Sequence, residues 1–333
     1  MKKYVFTAVF LFAAVIAVFA ICFYFSDDEQ VKTTRSVFAF DTLGEITIYG
    51  NNKSAADDAV KKINELSGKL NGFDEASTLY KLNRTKEISD KDIYNIVSKS
   101  VSLYENYGFV DITIGELIYL WDINGENPVV PTSDEIKSAL ETTGISNITL
   151  ENEKITLSGG TTLELGAVAK GYLLNELKDI LKGSESALVN FGSSILLYGD
   201  KTFKIDIKNP FEQSDILGTL ELCDSTISTS GDYERFFEAD GKKYSHILDA
   251  KTGYPVKSDL ASVSVICDDG LTGDFLSTAA YIMGSKELLK IADKLRQEEI
   301  YILAVTKNNE ILVSKELKDK LTLKNNSFKL KII

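Results

Sequence analysis

From residue 37 onward this chain is built of short β-forming runs joined by tight turns, with amphipathic helices set between them. That pattern admits few folds. Strands joined by two- or three-residue turns can only pair antiparallel, because a parallel pair needs a crossover of a dozen residues or more. Asp240-Gly241 and Gly192-Ser193-Ser194 are such turns, and a third lies at Asn152. Helices are predicted at 54–68, 90–107 and 132–142, the first two from apolar residues repeating at helical spacing. The second stops at Gly108, and the third follows Pro131 with Thr132 or Ser133 as cap. Residues 37–49 alternate as a strand interrupted at Leu43-Gly44, residues 77–83 predict a short helix or turn, and residues 148–157 predict a ribbon too polar to be central. Strong β-formers fill 261–267, a helix begins near Gly273 and ends at Gly284, and a second follows at 288–296. The expected class is α+β, with largely antiparallel sheets and flanking helices.

Charge narrows the partners. The 333 residues carry a formal net charge of −12, and no basic face is visible for a nucleic acid backbone. An acidic protein that binds an anion needs a local device, such as a helix N-terminus, a cation or a placed lysine. At the N-terminus Lys2 and Lys3 precede an uncharged run over 4–25, and Asp27-Asp28-Glu29 follow it. The run is long enough to cross a bilayer, and its flanking charges place the body of the protein outside the cell. The expected organisation is a membrane anchor or signal segment over 1–25, a polar linker over 26–36 and one domain over 37–333. Cys22 offers lipidation as a second form of anchoring, although Ile21 stands where a small residue is usual. Cys223 and Cys267 could pair in an oxidising compartment, but they lie in apolar, strand-like runs, which favours buried free thiols.

Chemistry gathers at four places. Residues 163–171, Leu-Glu-Leu-Gly-Ala-Val-Ala-Lys-Gly, bring small residues to the start of a helix expected to run to about 181. Backbone approach and the helix N-terminus favour an anion there, with Lys170 one turn inside. Asp111 is an acid in an apolar stretch and reads equally as a turn carboxylate or a ligand contact. Residues 229–253 hold His246, the only histidine, on a hairpin whose pairing brings it near Arg235. Asp274 and Thr278 are four apart on one helix face. They read either as a cap and a back-bonded hydroxyl, or as two hard oxygen ligands for Mg²⁺.

In order, these stretches resemble the motifs of the ApbE-type FAD:protein FMN transferases: Gly108-Phe-Val-Asp111-Ile-Thr-Ile-Gly115, Glu164-Leu-Gly-Ala-Val-Ala-Lys170-Gly171, Val189-Asn-Phe-Gly192, Thr229-Ser-Gly-Asp-Tyr-Glu-Arg235, Ser245-His-Ile-Leu-Asp249 with Thr252-Gly253, and Asp274 through Thr278. The resemblance spans about 40–284 and implies an ApbE-like fold with a flavin transferase domain over 37–333. It implies transfer of FMN from FAD, through its phosphate, to a Thr or Ser hydroxyl of an extracytoplasmic acceptor protein, with AMP released. It implies Mg²⁺ held by the Ala167 carbonyl, Asp274 and Thr278. It implies nucleotide contacts at Leu43, Phe109, Val110, Asp111, Glu164, Lys170 and Ile247, with Lys170 and His246 at the chemistry. His246 is either a general base or an orienting group. The sequence departs from the family at Glu164 for Asp, Leu43 for Met, Ser193 for Gly and Ala250 for Pro. Hydrolysis of FAD to FMN and AMP, or passive flavin binding at the cell surface, are the competing functions.

Overall fold

The computed structural model describes residues 31–333, apart from 124 and 126. The segment read as an anchor lies outside the described residues, and among those described no helix is long and apolar enough to cross a membrane. The frame is a nine-stranded sheet in the order β1-β2-β6-β7-β10-β13-β14-β15-β17. It is built from β1 (Lys32–Ala39), β2 (Thr42–Tyr49), β6 (Ser186–Phe191), β7 (Ser194–Gly199), β10 (Ser225–Gly231), β13 (Leu260–Cys267), β14 (Tyr301–Thr306), β15 (Glu310–Val313) and β17 (Lys329–Ile332). Every pair is antiparallel except β15 with β17, which run parallel. The α+β expectation holds, with the sheet mixed at one edge.

Strand alternation divides two cores. Val263 and Val265 of β13, Ala304 of β14 and Val189 of β6 face a helical layer. Ile266, Leu303 and Leu188, one residue along in each strand, face the opposite side. The helical layer holds α1 (Ser54–Leu70), α2 (Thr78–Thr85), α3 (Lys91–Tyr107), α6 (Ala169–Ile180) and α7 (Gly270–Gln297). The opposite face is covered by β8 (Phe203–Asn209) and β9 (Glu212–Leu222), which form a three-stranded sheet with β16 (Leu321–Leu323), and by α8 (Lys315–Lys318). A third, small core joins α4 (Gly115–Trp121), α5 (Ser133–Leu140) and the hairpin of β11 (Phe236–Ala239) and β12 (Lys242–Ser245) around Trp121. The polar ribbon is β4 (Ile148–Glu151) and β5 (Lys154–Leu157), joined by β3 (Glu87–Ser89) into a peripheral sheet.

Local signals placed most boundaries. Asp90 accepts from Ile93 N–H at the start of α3, and Gly108 ends it. Thr132 and Glu135 form a reciprocal capping box on α5. Several expectations need correction. The break between β1 and β2 falls at Phe40-Asp41, both with positive φ, and not at Leu43-Gly44. Gly44 instead sits within β2, paired with Val37, and a side chain there is excluded because a Cβ would come within 2.4 Å of the Phe191 ring. β1 begins at Lys32, inside the stretch read as linker. Helix α6 starts at Ala169, so residues 163–168 lead into it as extended and turning chain. Gly284 (φ 73°) kinks α7, whose two halves run on through 297. Cys267 is buried, and its thiol is pushed up to about 12 by that burial. Cys223 is exposed, contrary to expectation, and neither cysteine is in a disulfide.

Candidate active site

The site begins where two helices start against each other. A Cβ on Gly171 would lie 2.2 Å from the carbonyl oxygen of Gly270, so only a glycine lets α6 and α7 approach this closely. Asn175 fastens the contact, accepting from Gly270 N–H at 2.7 Å and donating to Asp269 at 3.2 Å. The approach carries Asp274, in the second turn of α7, to the first turn of α6. There its carboxylate accepts from Gly171 N–H at 2.9 Å and from the Ser194 hydroxyl at 3.3 Å. Asp274 is therefore not the cap of its helix; Asp269 is, accepting from Thr272 N–H. Nor does Thr278 back-bond to a carbonyl in its own helix. Its hydroxyl lies 3.1 Å from that of Ser230 on β10, and Ser277 makes the back-bond to Asp274 O.

Asp274 is only 6% exposed. Burial raises its pKa, opposed by the charge of Lys170 and by the Gly171 and Ser194 hydrogen bonds. A buried carboxylate whose pKa is still raised by burial favours a nearby cation. Lys170, the second residue of α6, donates through Nζ to the Ser193 hydroxyl in the β6–β7 turn. This early lysine thus has the partner that its unfavourable place on the helix dipole calls for.

These groups open into a cleft of about 280 Å³. One wall is Ala167, Lys170, Asp274 and Thr278; another carries Phe109, Val110, Asp111 and Glu164; His246 and Ile247 close it from the hairpin side. Phe109 holds a left-handed backbone (φ 71°) directly after Gly108 (φ 68°). Such strain in a non-glycine residue persists only when its surroundings fix it, and it clusters at binding sites. Asp111 accepts from both the N–H (2.8 Å) and the hydroxyl of Thr113 through one oxygen. The turn reading of Asp111 is therefore realised, the residue also lines the cleft, and burial raises its pKa. Burial likewise raises that of Glu164, against the opposing Gly166 N–H at 2.8 Å and the charge of Arg235.

His246 follows β12 and pairs with Arg235 just before β11. Its backbone N–H and its ring Nδ1 both contact the Arg235 carbonyl oxygen, at 3.2 Å and 3.0 Å. A carbonyl can only accept, so Nδ1 carries the proton and Nε2 keeps its lone pair. Burial lowers the pKa from 6.5 to about 4, with the charges of Arg235 and Lys170 adding to the effect and the carbonyl opposing it. That shift favours the neutral imidazole near neutral pH in the protein without bound substrate.

Leu43 alone among the expected contacts stays outside. It lies 40% exposed on β2 and does not line the cleft. Phe40 and Asp41, from the turn just before it, take that place. Sequence reasoning also left out Ser193, Ser230 and Glu234, which line the same cleft. Their signal was present: Glu234 adjoins Arg235 in the stretch of the lone histidine, and Ser193 sits in a turn already read as such. Among the described residues no three His, Cys, Asp or Glu side chains cluster as a metal site. A metal here would rest on one carboxylate and neutral oxygens.

Comparison with known proteins sets this geometry in context. Residues 40–302 match the ApbE family. The chain is 36% identical over 224 residues to an FAD:protein FMN transferase of Klebsiella pneumoniae, covering 65% of this chain and 69% of that protein. It is 25% identical over 312 residues to the FAD:protein FMN transferase of Haemophilus influenzae, covering 87% and 90%. Among solved structures, the ApbE protein of Thermotoga maritima superposes with a TM-score of 0.81 at 30% identity, over 87% of this chain and 99% of that one. The flavin transferase ApbE of Vibrio cholerae gives 0.76 at 25% identity over the same shares.

Proposed function

The chain belongs to the ApbE family, and we propose that the cleft beside Asp274 is where it moves FMN from FAD to a protein acceptor. The observation that carries this placement is the meeting of the α6 and α7 starts. It puts a buried carboxylate, a lysine and a helix N-terminus at one point of an aromatic-walled cleft. That combination suits a pyrophosphate with a flavin ring beside it.

In the reaction we assign, a Thr or Ser hydroxyl oxygen of the acceptor attacks the phosphorus of the FMN half. The bond from that phosphorus to the bridging oxygen breaks, and AMP leaves with the electron pair. Lys170 offsets the pyrophosphate charge from the start of α6. The Nε2 lone pair of His246 is free to take the hydroxyl proton or to orient the hydroxyl by accepting its hydrogen bond. Phe109 and Phe40 line the cleft and supply its aromatic contact for the flavin nucleotide. The donors around Asp274 are hard oxygens, a set that fits Mg²⁺ with its remaining positions left to water and phosphate. Ala167 through its carbonyl, Asp274 and Thr278 would hold that ion, which supplies charge neutralisation at the pyrophosphate. The uncharged run over 4–25 supports membrane attachment with this domain, and its acceptor, on the extracytoplasmic side.

The test is to incubate residues 31–333 with FAD, Mg²⁺ and candidate acceptor domains and look for a fluorescent band that survives denaturation. A covalently flavinylated acceptor is expected. Failure with every acceptor offered, at saturating FAD, would contradict the proposal.

A further inference from the structure

A second cleft, of about 300 Å³, meets the first one at its chemical centre. Lys170, Ser193, Thr229, Glu234 and Arg235 line both. Beyond that neck the two diverge to opposite faces of the large sheet. The first follows Ser230 towards Thr278 and α7. The second follows Ile227 of β10 and Ser262 and Ser264 of β13, whose alternation turns them to the face covered by β8 and β9. Resting on the reading that FMN is transferred to a protein hydroxyl at the neck, we propose that this second cleft receives the acceptor, as an extended segment laid along β8 that delivers its Ser or Thr to the neck.

Three features favour a peptide here. β8 ends its three-stranded sheet, so among the described residues its outer edge has no strand partner. Ile205, Asp206, Ile207 and Lys208, four in a row, line the cleft. Consecutive residues point to alternate faces of a strand, so four together on one cavity mean that the strand edge itself borders it. An open edge offers backbone donors and acceptors to an added strand, a recurring way of holding peptides with little demand on sequence. The second feature is that the rings suited to flavin and adenine line the first cleft, at Phe40, Phe73 and Phe109. In the second, Phe191 is fully buried against Gly44, which leaves the half-buried Tyr233 as its one partly exposed ring against three in the first. The third is chemical. In-line displacement needs the nucleophile to approach from the side away from the leaving group, and an opening on the other face of the sheet provides such a route.

The test uses the full chain with the acceptor domain that the wild-type enzyme flavinylates. Lys208→Glu changes an exposed side chain of β8, and Ile195→Trp fills the cleft from a half-buried position on β7. Lys204→Glu, exposed on the same strand but outside the cleft, is the control. KM for the acceptor and Kd for FAD are measured for each, with melting curves to establish folding. The inference expects both cleft variants to raise KM for the acceptor by about tenfold or more, with Kd for FAD unchanged and the control like wild type. It is overturned if FAD affinity falls instead, which would put the adenosine half in this cleft, or if neither constant moves. It is overturned too if Lys204→Glu raises KM equally, which marks a general charge effect. A wild-type chain that binds FAD yet flavinylates no acceptor would remove the transfer reading and this inference with it.

Discussion

At the scale of single residues the account rests on Asp274 and His246. Asp274 is buried beside Lys170, with two protein hydrogen bonds and a raised pKa. Asp274→Ala removes the only carboxylate of the expected metal set, and the transfer rate should fall by about a thousandfold or more. Chelation of divalent ions should do the same to the wild type and be reversed by Mg²⁺. Both are read by rapid quench of AMP release, and undiminished turnover in either would remove the metal from the scheme. His246 makes a prediction about stability. Its pKa is 6.5 in an ordinary setting and about 4 in this fold. Between those values the unfolded chain takes up a proton that the native chain refuses, so stability rises with pH across that window and is lost as pH falls through it. His246→Asn keeps a donor for the Arg235 carbonyl but cannot titrate. Its melting temperature should therefore decline less steeply than that of wild type from pH 6.5 to about 4. Parallel profiles would show that the native imidazole is not held neutral.

At the scale of elements, the site depends on how two helix starts and one hairpin are fixed. Gly171→Ala places a methyl 2.2 Å from the Gly270 carbonyl. The helices must part, costing about 1–3 kcal/mol in urea unfolding and displacing the Gly171 N–H from Asp274. FAD affinity should fall with it; tight FAD binding in a folded Gly171→Ala protein would mean the helix contact does not shape the site. The hairpin docks through Trp121, whose indole N–H donates to Gly253 O at 2.8 Å inside the third core. Trp121→Phe leaves that buried carbonyl unpaired, for a loss of about 1–3 kcal/mol, measurable by the same unfolding assay. What the sequence revealed at this scale follows the physics of each signal. Asp90, Thr132 and Gly108 act locally, so the ends of α3 and α5 were legible. The turn at Phe40-Asp41 was not, because neither residue type announces a left-handed turn. The start of α6 was misplaced for a related reason. Residues 163–168 have the small and apolar composition of a helix, but Glu164 leaves the helical path to reach the cleft and Leu165 to enter the core, which only tertiary contacts decide.

At the scale of the whole molecule, one sheet with two buried faces organises the reaction. The β-forming run over 261–267 announced a strand, which the structure buries on both faces. It could not say that helices would cover one side and a small sheet the other, because strand order depends on long-range pairing. The site was legible to the extent that its motifs are short and carry their own chemistry, as at Lys170, Asp274 and His246. Leu43 lies outside the cleft because its place is set by the preceding turn. Glu234 and Ser193 were missed because their importance comes from where two clefts join. The most direct measurement of the central claim, transfer to a hydroxyl in place of simple cleavage, is the stoichiometry of AMP released to flavin covalently bound, at limiting acceptor and excess FAD. The account predicts one AMP for each flavin attached, with release ending when the acceptor is consumed. AMP that continues to appear at an undiminished rate after the acceptor is exhausted, or without any acceptor, would contradict it.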